Sequence, residues 1–228
     1  MNDAVKSDSP KAGEDFAEAC RREAGPAWDA ACGHPFTLAL GEGTLPPAAM
    51  ADYLVQDYAF VGTLVSMVGF AVGKAPDIAA QARLSTFLAA VTSAENTYFQ
   101  RSFDALQVPE AQRSRPALRE VTERLIAAME DAGDRGSYGE ILATLLPAEW
   151  IYLSWAEAQA AKSPGAFYFQ EWIDLHVNAD FRAFVLWLKD ETDRAAAAAG
   201  AQERRAMAER FARMVRLEVD FFDMFHTR

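Results

Sequence analysis

Apolar residues recur along this chain at steps of three and four, the period of an amphipathic helix, and strand-like alternation never persists. Glycine and proline fall between long helical windows. The pattern predicts a first helix over 14–31, carrying Phe16, Cys20, Ala27 and Ala31, then a break or re-entry at Gly33-His34-Pro35-Phe36. Gly41 to Pro47 reads as a turn whose prolines start a second helix, which Lys74-Ala75-Pro76-Asp77 ends. A third helix is expected over 78–106, a fourth over 116–132, and a fifth over 138–162 that Pro147 should kink or break. A short helix with Trp172 and His176 follows, then helices over 181–199 and 201–225. No linker is long enough to separate a pair of domains. The expectation is one all-α domain of seven or so helices over 14–228, behind a disordered or tag-like lead at 1–13.

Between Tyr53 and Gly73 the second helix has a single charged residue, Asp57. A carboxylate on a helix that is apolar on nearly every side must find donors or a cation, or else shift its pKa. It is either a structural pin or the polar end of a ligand pocket. In the last helix Phe211, Met214, Val215, Phe221, Phe222 and Phe225 form an apolar stripe, and Glu218 falls inside it. Two inward carboxylates in one small helical domain favour a shared polar pocket, because each otherwise needs partners of its own. In the fifth helix Glu149 shares one face with Leu142, Leu145, Leu146 and Tyr152. The competing face runs Ile141, Leu145, Ala148, Ile151, Tyr152, Trp155. Pro147 disturbs the phase, so both faces stay open, with solvent the favoured place for Glu149. Tyr58, Phe60, Tyr152, Trp155 and Trp172 offer flat surfaces to a bound ring, although ordinary core packing accounts for most such residues.

With 228 residues, 51% of them hydrophobic, the chain has ample material for a core. A net charge of −11 without a basic helix argues against nucleic acid or an anionic membrane as a partner. The longest uncharged run, 58–73, is shorter than the ~20 residues of a spanning helix and reads as a buried core helix. A polar start without a signal-peptide core, and Cys20 and Cys32 as the only cysteines, suggest idle thiols in a reducing cytoplasm. The histidines are His34, His176 and His226. Asp223-x-x-His226 alone falls short of a di-metal bundle, and neither His34 nor His176 has support as a haem ligand. There is no phosphate loop, Cys-x-x-Cys or Gly-x-Ser-x-Gly. No metal and no cofactor are expected.

Several short motifs stand in a telling order: His34-Pro35-Phe36, Gly43-Thr44-Leu45, Tyr53-Leu54-Val55-Gln56-Asp57-Tyr58, and the run from Gly136 to Pro147. Glu171-Trp172-Ile173 and Glu218-x-x-Phe221-Phe222-Asp223-Met224 complete them. Together they resemble the TenA family of thiaminase II-like proteins, over about 12–226. The resemblance implies a haem-oxygenase-like helical fold, a homotetramer, and a pocket for the 4-aminopyrimidine half of thiamin. It also implies that Asp57 holds the amino group and ring nitrogen, that Glu218 shuttles protons, and that Phe60 and Tyr152 flank the ring.

Three positions depart from the family pattern. Ala148 stands where thiaminase II carries its nucleophilic cysteine after Leu-Leu-Pro, Leu125 where a tyrosine is expected, and His176 where another pocket tyrosine is expected. Without the thiol the covalent route is gone. The chain looks closer to the branch that lacks the cysteine, relies on a glutamate and hydrolyses aminopyrimidine breakdown products of thiamin. The resulting expectation is a hydrolase in which Asp57 binds the pyrimidine and Glu218 acts as acid/base, helped by Glu149 or His176. His176 is either a group titrating near neutrality or a hydrogen-bonded structural histidine. The alternative is a non-catalytic protein that binds the pyrimidine. Direct gene regulation ranks third, opposed by the acidic charge.

Overall fold

The computed structural model describes residues 15–225, so the expected lead at 1–13 and His226 lie outside the described residues. Helices account for almost every element, and no strand forms among the described residues. The first expected helix is two: α1 (Phe16–Ala24) and α2 (Pro26–Cys32), separated by Gly25 at φ 47°, a left-handed conformation that glycine adopts without strain. Pro26 opens α2, Pro35 opens α3 (Pro35–Gly41) and Pro47 opens α4 (Pro47–Lys74), each where a helix needs no backbone donor. His34 caps α3, its Nδ1 accepting from the Phe36 N–H at 3.1 Å while Nε2 lies 3.3 Å from Asp223 Oδ1. Both ring nitrogens are therefore engaged in holding two chain segments together.

The expected third helix begins as α5 (Ile78–Ala90), capped by Asp77, but passes through a π-helical turn at Val91–Glu95 before continuing as α6 (Asn96–Ala105). A short α7 (Glu110–Ser114) precedes α8 (Glu120–Arg135). Next come α9 (Tyr138–Gln159), α10 (Phe167–Val177), α11 (Ala179–Ala198) and α12 (Ala201–Asp223). Pro147 does not break α9. It removes one backbone donor, and the helix is enclosed tightly enough to continue through the gap.

That enclosure sets the architecture. α9 packs against α12, α11, α10, α8, α4, α3 and α2, and is apolar on nearly all sides, as a central helix must be. α4 packs on α8, α5 and α9. It is the one helix among the described residues long and apolar enough to cross a membrane by length and composition, yet here it serves as a core helix. One cluster of buried side chains runs through the whole bundle, so the chain forms one domain. Cys20 is buried in that cluster and Cys32 is half-buried against it, and burial pushes their thiols up to about 12 and about 11, which leaves them unreactive.

The α8–α9 junction is tightly built. Ser137 and Glu140 form a capping box, and Lys74 Nζ donates to the carbonyls of Gly133 and Gly136 at 3.0 and 2.7 Å. A Cβ on Gly136 would meet the Ala132 carbonyl oxygen at 2.5 Å. Gly136→Ala is therefore expected to destabilise the fold by ~1–3 kcal/mol, measured as a lower urea midpoint at unchanged slope.

Candidate functional site

Asp57 lies in the middle of α4, one turn after Tyr53, on the face turned towards α9. Gln56 beside it fixes the helix to the start of α8: its amide donates to the Ala117 carbonyl at 2.9 Å. Its oxygen accepts from the Arg119 N–H at 3.0 Å and the Thr122 hydroxyl at 2.6 Å. The Tyr53 and Tyr152 hydroxyls are 2.8 Å apart, and the Trp172 indole N–H donates to the Tyr53 hydroxyl at 3.1 Å. Both tyrosine hydroxyls act on the Asp57 carboxylate and favour its charged form. Its other oxygen, Oδ2, is buried and has no partner. Such an atom carries a standing desolvation cost that a donor from a ligand would remove.

Glu218 from α12 shares the chamber onto which Asp57 faces. So do Phe60, Leu64 and Met129, Ala148, Glu149 and Tyr152 from α9, and Trp172 and His176 from α10. Two expectations change here. Glu149 is buried rather than solvated, because seven other helices pack round α9 and its side chain turns into the chamber. His176 does not titrate near neutrality: burial lowers its pKa to about 4. Its Nδ1 lies 2.7 Å from the Trp172 carbonyl, which only accepts, so Nδ1 carries the proton and Nε2 is a bare acceptor. Ala148 borders the chamber, whereas Leu125 is buried elsewhere in the core. Trp155 packs behind Tyr152 and His176, and Tyr58 turns to Asn96, its hydroxyl donating to Oδ1 at 2.8 Å.

A fourth carboxyl, Glu95, enters from the π turn, and no sequence expectation named it. A regular 3.6-residue count already places Glu95 on the buried stripe of this run, four residues after Val91 and eleven after Leu84, so the spacing was available and was passed over. Thr92, Ser93 and Ala94 before Glu95 are exposed.

Four acids around a small apolar chamber cannot all ionise. Burial raises Asp57 to about 7 against the pull of the two tyrosine hydroxyls. Burial, then the charge of Asp57, raises Glu218 to about 8 and Glu95 to about 8. Glu149 is pushed well above the carboxylate range by burial, then by Glu95, Glu218 and Asp57. Each folded pKa exceeds its unfolded value, so the folded cluster holds protons that the unfolded chain has lost. Stability therefore falls as pH rises from about 4 towards about 8. His176 acts in the opposite sense only between about 4 and its ordinary 6.5, which makes the range above 6.5 the clean one. The ligand-free protein should lose thermal stability from pH 6.5 to 8, at ~2–4 °C per kcal/mol, and Asp57→Asn should flatten that slope in calorimetric scans.

The acid chamber has a volume of about 40 Å³. Beside it lies a second, larger chamber of about 470 Å³, bordered by Arg83, Thr86, Asn178, Asp180, Phe181 and Phe184 among others. Phe87, Val91, Glu95 and His176 border both and form the wall between them. Among the described residues no group of three or more His, Cys, Asp or Glu side chains is arranged to hold a metal ion.

Comparison with known proteins adds a separate line of observation. Residues 21–227 match the sequence model of the TENA/THI-4/PQQC family. An aminopyrimidine aminohydrolase of Bacillus subtilis is 26% identical over 209 residues, which cover 92% of this chain and 89% of that protein. One of Helicobacter pylori is 27% identical over 202 residues, covering 86% and 92%. Among solved structures, a TenA homologue of Pyrococcus furiosus superposes with a TM-score of 0.83 at 18% identity, over 92% of this chain and all of that one (100%). A TenA family transcription regulator from Silicibacter gives 0.82 at 24% identity, over 93% and 96%. At such identities the superpositions establish the all-α, haem-oxygenase-like fold.

Proposed function

The chain belongs to the TENA/THI-4/PQQC family, and from that premise we propose that it is a hydrolase of thiamin-derived aminopyrimidines that works without a cofactor. The observation that carries the reading is the buried, unpartnered Asp57 oxygen facing the same chamber as Glu218. A 4-aminopyrimidine protonated on its ring nitrogen offers two parallel N–H donors, and a carboxylate accepts both. Phe60 and Tyr152 border the space such a ring occupies, and Nε2 of His176 accepts from a further N–H. The names of the curated relatives support the substrate class.

With Ala148 at the position after Pro147, no thiol borders the chamber, and the attacking group is water. Glu218 takes the proton from that water as it adds, and the C–N bond to the departing amine breaks. At about 40 Å³ the chamber has room for water, so a ring enters only as the wall of Phe87, Val91 and His176 yields. The reading includes the homotetramer that the resemblance implies. Phe70, Ile78 and Leu186 are large apolar side chains left exposed, which supports burial between copies, and light scattering tests it.

The test of function is incubation with 4-amino-5-aminomethyl-2-methylpyrimidine and measurement of released ammonia. Release that depends on Glu218 supports the hydrolase. Binding by calorimetry without turnover of any thiamin derivative would establish instead the second reading, a pyrimidine-binding protein, which the missing nucleophile at Ala148 favours.

A further inference from the structure

We propose that Glu95 is the acid that protonates the departing amine, and that the amine leaves through the outer chamber. The inference rests on the hydrolase reading above and assigns a residue to its second half. Asp57, Glu149 and Glu218 border the inner chamber alone, and Asp180 borders the outer chamber alone. Glu95 is the one carboxyl that borders both. An acid that serves a leaving group must face the reacting carbon on one side and the exit on the other, and its position in the dividing wall meets both demands.

The local backbone explains how it gets there. Glu95 stands on the inward stripe of this helical run, four residues after Val91 and eleven after Leu84. It closes the π turn at Val91–Glu95 and is half-buried at the acid cluster, while Thr92, Ser93 and Ala94 before it are exposed. The turn is held from outside as well, because Asn96, which follows it, accepts the Tyr58 hydroxyl at 2.8 Å. The groups that surround Glu95 are Asp57 on α4, Tyr98 on α6, Glu149 and Tyr152 on α9, His176 on α10 and Glu218 on α12. Arg83 and Asp180 lie on the outer side. His176 is neutral, and Arg83 belongs to the outer chamber, so no cation inside the acid chamber draws the proton from Glu95.

In the reaction, water bonds to the aminomethyl carbon as its C–N bond breaks. The electron pair of that bond goes to nitrogen, which takes the Glu95 proton and departs as ammonia. Glu218 receives the proton that water gives up. A proton then passes from Glu218 to Glu95 through the cluster or through solvent, and both groups are restored. The sum is amine plus water giving alcohol plus ammonia.

The test compares Glu95→Gln with the wild-type chain on two substrates. One is 4-amino-5-aminomethyl-2-methylpyrimidine, whose amine needs a proton to leave. The other carries pyridinium at the same carbon, which departs as neutral pyridine and needs none. Glu95→Gln is expected to lower kcat/KM about 100-fold on the amine and less than about threefold on the pyridinium. It should also remove the alkaline limb of the pH profile for the amine, and Glu95→Asp should recover some of the rate. An equal fall on both substrates, or an alkaline limb retained in Glu95→Gln, overturns the assignment. If the wild-type chain releases ammonia and Glu95→Gln matches it, this inference fails and the hydrolase stands. If the wild-type chain releases no amine from either substrate, the hydrolase reading fails and takes the inference with it.

Discussion

Asp57→Asn is expected to weaken binding of 4-amino-5-hydroxymethyl-2-methylpyrimidine by at least ~100-fold, or ~3 kcal/mol, in titration calorimetry. Asparagine keeps the shape of the side chain but presents one acceptor and one donor. Against a protonated aminopyrimidine edge with two donors, one N–H then faces another in a buried site. The loss comprises a missing charge-assisted bond and a newly unpaired donor. Stability should move the other way. The carboxylate is buried, its Oδ2 is unpartnered, and burial raises its pKa to about 7, so at pH 8 the folded chain carries an uncompensated ionisation cost. Asparagine removes that cost, and the thermal midpoint at pH 8 should rise. If Asp57 were a pin for Tyr53 and Tyr152, both signs would reverse: the midpoint would drop and ligand affinity would hold. A binding site that is less stable than its neutral variant is the usual mark of function kept at the expense of fold stability.

Asp57 and Glu218 were legible because α4 and α12 keep the regular period, and each acid interrupts an otherwise apolar stripe. The structure places both on one chamber. Glu149 was ambiguous for the opposite reason. α9 is apolar on every side, so no polar face exists against which to judge its orientation, and burial of the helix by seven others decided it. Glu95 was legible by the rule that found Asp57 and Glu218, and was overlooked: it follows Val91 by four residues and Leu84 by eleven, so it interrupts the buried stripe of the expected third helix as they interrupt theirs. His176 was seen as a pocket residue, but its charge state depends on the carbonyl of Trp172 and on the rings packed round it, neither of which spacing reveals. The first helix was drawn too long because Gly25 sits in a run otherwise well suited to helix, and only its left-handed φ marks the corner. Long periodic segments and isolated charges on them are thus readable. Caps and the environment of central helices need the packing.

Glu218→Gln is expected to lower kcat for ammonia release by ~10²–10⁴-fold while leaving pyrimidine affinity within about threefold. The argument is one of proton order. A general base must be the acid in the cluster that ionises within reach of neutral pH. Glu149 is pushed well above the ordinary carboxylate range by burial, and Glu95, Glu218 and Asp57 all oppose its ionisation further, so it keeps its proton at neutral pH. Glu218 is opposed by burial and then by Asp57 alone, and reaches about 8. Once a cationic aminopyrimidine edge neutralises Asp57, that opposition is relieved and Glu218 ionises more readily. Binding of the ring therefore prepares the base, whereas Glu149 gains the same relief from Asp57 but still faces the charge of Glu218. Glu149→Gln should cost no more than ~10-fold in kcat, since a neutral amide replaces a group that is already neutral. The measurement is single-turnover ammonia release for both variants at saturating substrate from pH 6 to 9. A larger loss in Glu149→Gln than in Glu218→Gln would exchange their roles. Loss of affinity in Glu218→Gln as large as that in Asp57→Asn would show that Glu218 holds the ring and leaves the proton transfer to another group.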